Sequence, residues 1–80
     1  MITKARAELS PQQLTIMQLS WDGLSVKEQA LLLGLAETTV KRHRQNIYER
    51  LEVHNVEGML RAGVSRGYLS TRPFVNEEWP

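Results

Sequence analysis

Residues 24–47 decide the fold: Leu24-Ser25-Val26-Lys27-Glu28-Gln29-Ala30-Leu31-Leu32-Leu33-Gly34-Leu35-Ala36-Glu37-Thr38-Thr39-Val40-Lys41-Arg42-His43-Arg44-Gln45-Asn46-Ile47. Ser25 and Glu28 make a capping box, in which each side chain satisfies the other residue's backbone amide at a helix start. A helix is therefore expected over 26–33, and Gly34 can take the left-handed conformation that ends it. A second helix begins near Glu37. Its apolar residues Val40, Ile47, Tyr48 and Leu51 recur at helical spacing, with polar residues between. The turn between the two helices is Gly34-Leu35-Ala36. Two helices joined by a short glycine turn are the helix-turn-helix signature, whose second helix enters the DNA major groove.

The flanks repeat this punctuation. Ser10 can cap a helix, Pro11 suits its first position, and Gln13 completes a capping box. Leu9 and Leu14 occupy the two positions of a hydrophobic staple. That helix should cover 11–22 and end at Gly23. Asn55 caps a fourth helix over 56–66, ended by Gly67. Its stripe is Val56, Met59, Leu60, Gly63 and Val64. No stretch alternates with period two, so the expected class is all-α, with helices at 11–22, 26–33, 37–51 and 56–66. Residues 9–69 form the domain, 1–8 an N-terminal extension, and 70–80 an irregular C-terminal tail containing two prolines.

The chain has 80 residues, of which 41% are apolar. That supports one small domain but not a sensor joined to an effector, each needing about 100 residues. There is no cysteine, which excludes a disulfide framework and a thiolate zinc site. The two histidines, His43 and His54, are too few for a metal cage, and no metal or cofactor is expected. The longest apolar run is Ala30 to Leu33, far short of the roughly 20 residues that span a bilayer. A cytoplasmic location without membrane contact is the resulting expectation. No Ser/His/Asp set, carboxylate pair or phosphate-cradling glycine loop appears, so an enzyme is not expected.

Ten Lys and Arg against nine Asp and Glu give a net charge of +1. The case for nucleic acid must then rest on where the charges sit. Lys41, Arg42, His43 and Arg44 are consecutive in the third helix, with Arg50 further on. Lys41, Arg42 and Gln45 share one face. Arg can bind guanine bidentately and Gln can bind adenine, so these three are the candidate base readers. Thr38 and Thr39 lie in the first turn, where hydroxyls and free amides can meet phosphate. An isolated charge run is usually a solvated face; the glycine turn and four-helix layout favour DNA here.

Leu9 to Leu69 resembles the LuxR/FixJ/GerE-type helix-turn-helix domain of bacterial transcription regulators. The segments that carry the resemblance are Leu24 to Ala30, Leu33-Gly34-Leu35, Thr39 to Ile47, and Arg50-Leu51-Glu52-Val53, in register with the fourth helix. The resemblance implies sequence-specific DNA binding as a homodimer. It places Lys41, Arg42 and Gln45 on bases, and Ser25, Lys27, Thr38, Thr39, His43 and Asn46 near phosphates. It gives the dimer contact to the fourth helix, for which Val56, Gly58, Met59, Ala62 and Gly63 are the candidates. Gly58 and Ala62, four residues apart, share a face on which two backbones can approach.

The chain also departs from that pattern. The family is usually acidic where Gln13 and Thr15 stand and apolar where Gln29 stands. It commonly has a capping Ser at the position of Ala36, a helix-ending Gly at Glu52 and a capping acid at Gly58. Trp21, Leu31 and Leu32 are apolar where relatives are small or charged, which makes them a candidate partner patch. A tail whose Phe74 and Trp79 fold back would cover the patch, and a rotated second helix that buries Leu31 and turns Gln29 outward would remove the oddity at Gln29 as well. The leading expectation is a stand-alone regulator, and the Met1 start favours a complete chain. The alternative is a protein-binding module on this fold that modulates RNA polymerase or another regulator. A sigma-factor region fits less well, because that group does not normally carry the fourth-helix segment.

Overall fold

The structure, a computed structural model, describes residues 9–69. The expectations for the N-terminal extension and for the tail with Phe74 and Trp79 lie outside the described residues. Four helices follow in order: α1 Pro11–Trp21, α2 Val26–Leu33, α3 Glu37–Leu51 and α4 Val56–Ser65. No strand occurs among the described residues. The class is all-α, as expected, and α1, α2 and α4 each begin at the residue their cap indicates.

The helix starts are built by the predicted side chains. Ser10 Oγ accepts the Gln13 amide at 3.1 Å while Gln13 Oε1 accepts the Ser10 amide at 2.9 Å. Ser25 and Glu28 do the same at 3.1 and 2.8 Å. Asn55 Oδ1 accepts the Gly58 amide at 2.8 Å. Ala36, at the start of α3, has no side-chain acceptor to offer. Leu9 is buried in the core, but Leu14 is 36% exposed, so the expected staple is split between core and solvent.

All four helices end with one hydrogen-bond pattern around a left-handed residue. The amide beyond that residue reaches five residues back: Leu24 to Leu19 O at 3.0 Å, Leu35 to Ala30 O at 2.9 Å, Val53 to Tyr48 O at 2.9 Å, and Tyr68 to Gly63 O at 2.7 Å. Glycine takes the left-handed position in three of them. In α3 it is Glu52, with φ +59°. A residue with a Cβ is strained there by roughly 1–2 kcal/mol. Glu52→Gly should therefore stabilise the domain by about 1 kcal/mol. Ala36→Ser at the other end of α3 should add about 0.5–2 kcal/mol. The two sites are far apart, so the gains should add in urea denaturation. A double variant no more stable than the parent would show that α3 is limited by something other than its ends.

α3 is the centre of the packing: α1, α2 and α4 all pack on it, and α4 also packs on α1. The core contains Ile16 and Met17 of α1, Ala30 of α2, Val40, Ile47 and Leu51 of α3, and Met59 of α4, closed by Leu9 and Leu69. α2 is not rotated to hide its leucines. Gln29 is fully buried, while Leu31 and Leu32 are 76% and 61% exposed. Gln29 can stay inside because its amide nitrogen finds Ser20 Oγ and the Leu24 carbonyl.

Candidate nucleic-acid interface

The side of α3 opposite Val40, Ile47 and Leu51 is solvent-facing. Thr38, Lys41, Arg42, Gln45, Asn46 and Glu49 are all exposed along it, at helical intervals of three and four residues. No carboxylate of the described residues pairs with Lys41 or Arg42, whereas Arg61 of α4 pairs with Glu57 at 3.8 Å. Uncommitted donors on a helix about 22 Å long can reach successive base edges in a groove about 12 Å wide.

The expected phosphate contacts flank this stripe. Thr38 and Asn46 are exposed, Thr39 and His43 half-buried. Asn46 lies in a shallow polar groove with Gln13, Glu49 and Arg50. Because Ala36 offers no cap, the amides that open α3 have no side-chain acceptor. On α2, Lys27 is exposed beside the N-terminus. Ser25 accepts from the Glu28 amide, which leaves its hydroxyl proton available to an anionic oxygen.

Arg44 does not belong to this face. It is half-buried, and its Nη2 donates inward to Ser20 Oγ at 3.2 Å. The run Lys41 to Arg44 is thus split, with Lys41 and Arg42 outward and Arg44 tied to the core. Periodicity alone carried the warning: Gln29 falls on the stripe Val26, Ala30, Leu33, and Ser20 lies four residues after Ile16, so two buried polar positions awaited a partner.

The candidate dimer residues need correction. Met59 is fully buried in its own core. Gly63 is buried too; a Cβ there would stand 2.7 Å from Leu69 Cδ1 and 2.8 Å from Met17 Sδ. Neither presents anything to a second chain. The missing side chain of Gly58 faces its own loop, with Val53 Cβ 3.1 Å from an added Cβ. Its small size serves an internal contact. Val56 and Ala62 are half-buried against the core. What α4 does offer is an open, mainly apolar groove lined by Glu57, Leu60, Arg61, Val64 and Ser65 together with Trp21 of α1. Neither Leu31 nor Leu32 of the candidate partner patch lines it; both are exposed on α2, as Trp21 is on α1.

Among the described residues no group of His, Cys, Asp or Glu could hold a metal ion. No helix among them is long and apolar enough to cross a membrane.

Comparison with known proteins agrees with the four-helix fold. A family model described as "Bacterial regulatory proteins, luxR family" (GerE) matches residues 7–61. An uncharacterized response regulatory protein of Escherichia coli (strain K12), YgeK, is 39% identical over 61 residues. The match covers 71% of this chain but 42% of that relative. The chain thus spans less than half the length of the curated relative it matches. No solved structure matches the chain significantly.

Proposed function

The chain belongs to the luxR family of bacterial regulatory proteins, helix-turn-helix DNA-binding regulators of transcription, and from that premise we propose how it engages its target. α3 lies in the major groove, where Lys41, Arg42 and Gln45 read base edges. Ser25, Lys27, Thr38, Thr39, His43 and Asn46 hold the flanking phosphates. The observation that carries this reading is the exposed stripe of donors on α3, which has no carboxylate partner among the described residues. Titrating the purified chain against duplexes at several salt concentrations tests it. A specific complex should exceed nonspecific binding by at least about 10³-fold at physiological salt. Equal binding to all duplexes would reject base reading.

Pairing is proposed through the outer face of α4, with a second copy seated on Trp21, Leu60 and Val64. Exposed Glu57 and Arg61 flank that groove. Two copies would then read an inverted repeat with half-sites about 34–36 Å apart, one turn of the duplex. Leu60→Glu should shift sedimentation from dimer to monomer and abolish the advantage of two half-sites over one. A variant that sediments and binds like the parent would move the pairing surface elsewhere.

A second reading, docking of RNA polymerase or another regulator on α2, is favoured by the exposure of Leu31 and Leu32. Polar replacement of both should then leave folding and DNA binding intact and remove regulation.

A further inference from the structure

Ser20, Gln29 and Arg44 come from three helices and meet at one oxygen. Ser20 Oγ donates to the Ile16 carbonyl at 2.9 Å and accepts Gln29 Nε2 at 3.0 Å and Arg44 Nη2 at 3.2 Å. Its one proton and both lone pairs are then engaged. The other amide proton of Gln29 goes to the Leu24 carbonyl at 2.9 Å, in the turn between α1 and α2. One polar cluster thus ties α1, that turn, α2 and α3 together inside an otherwise apolar core.

The cluster is poorly suited to adding stability. Gln29 Oε1 and Arg44 Nε are buried with no hydrogen-bond partner. An incompletely paired buried group is a net burden, and apolar side chains of similar volume often serve the fold as well or better. Apolar packing lacks direction, however. Hydrogen bonds weaken steeply when misaligned, whereas hydrophobic cores lose a unique arrangement before they lose stability. Arg44 sits within one turn of Lys41 and directly beside Gln45, so whatever fixes its side chain fixes the rotation of the reading face. A rotation of about 20° at a helix radius of about 6 Å displaces the surface by about 2 Å. That exceeds the tolerance of a hydrogen bond to a base.

We propose that Ser20, Gln29 and Arg44 are positioning residues: their shared hydrogen bonds set the rotation of α3 and so the register in which Lys41, Arg42 and Gln45 meet the bases. This inference rests on the DNA-reading proposal, and its test is arranged so that the two fail separately. Ser20→Ala removes the shared oxygen without changing any charge or any residue on the DNA face. Ser20→Ala with Gln29→Leu also removes the stranded amide and keeps the experiment decisive if the single variant does not fold. Ser20→Thr retains the hydroxyl and should behave as the parent.

The first readout is the orientation of α3 relative to α1 in the free protein, from residual dipolar couplings. The second is the affinity ratio between the preferred duplex and one with a changed base, at fixed salt. The folded alanine variants should show altered α3 couplings and a ratio reduced about tenfold, with nonspecific affinity and salt dependence unchanged. A purely structural role would lower the unfolding midpoint and leave both readouts of the folded protein alone. Unchanged α3 couplings in a folded variant lacking the shared oxygen would overturn the proposal. If the parent prefers no duplex, the DNA-reading proposal fails, and the couplings alone decide the cluster.

Discussion

Arg42→Ala is expected to weaken binding to the preferred duplex by about 1–3 kcal/mol, roughly 5- to 150-fold, and to erase the preference at one base position. Arg42 is exposed on the reading stripe, with no carboxylate partner among the described residues. Its planar guanidinium can donate two parallel hydrogen bonds to a guanine edge, which Ala cannot replace. Lys27→Ala should behave differently. Lys27 is exposed beside the start of α2, on a different helix from the base readers, so its loss should weaken all duplexes alike. It should also lower the slope of log K against log salt by about 1. The contrast matters more than either loss. If Arg42→Ala kept the base preference and lost affinity uniformly, Arg42 would be a phosphate contact and the rotation of α3 assigned here would be wrong.

Met59→Ala should destabilise the fold by about 2–5 kcal/mol, as the burial of Met59 implies. Met59 is fully buried at the contact of α4 with the rest of the core, and truncation leaves a cavity that the helices cannot fully close. Small domains have a total stability near the low end of about 5–15 kcal/mol, so the loss is a large share of it. Urea denaturation should show the midpoint falling sharply. Sedimentation at a temperature where the variant remains folded should show self-association unchanged. The opposite result, a stable protein that no longer pairs, would return Met59 to a dimer surface.

Most of the fold was legible because its signals are local. Ser10, Ser25 and Asn55 announce helix starts that the structure reproduces with hydrogen bonds of 3.1, 3.1 and 2.8 Å. Gly23, Gly34 and Gly67 announce the ends. Glu52 was harder to read, since nothing in its side chain favours the left-handed conformation it adopts. The exposure of Lys41, Arg42 and Gln45 was also legible, because α3 has one clear apolar face to set against them. The role of small residues in α4 was not legible for a physical reason. Gly58 and Gly63 look alike in sequence, and small residues on a helix fit close approach by a second chain as well as close approach within one. Only the neighbours decide, and here they are Val53 for one and Met17 with Leu69 for the other. The inward role of Arg44 was not legible, because a run of cations hides which of them has a buried acceptor across the core. That acceptor, Ser20 Oγ, lies 24 residues away in the chain.

Selection of duplexes from a randomised pool by the purified chain, at a salt concentration of about 0.15 M, tests whether α3 reads bases. One short inverted repeat should be enriched, its half-sites about 10 base pairs apart. At least one position should demand guanine in the parent and tolerate any base with Arg42→Ala. A pool that stays random while the chain still binds it in a salt-dependent way would rule out base reading by α3, because a phosphate-binding surface would then exist without a base-reading helix.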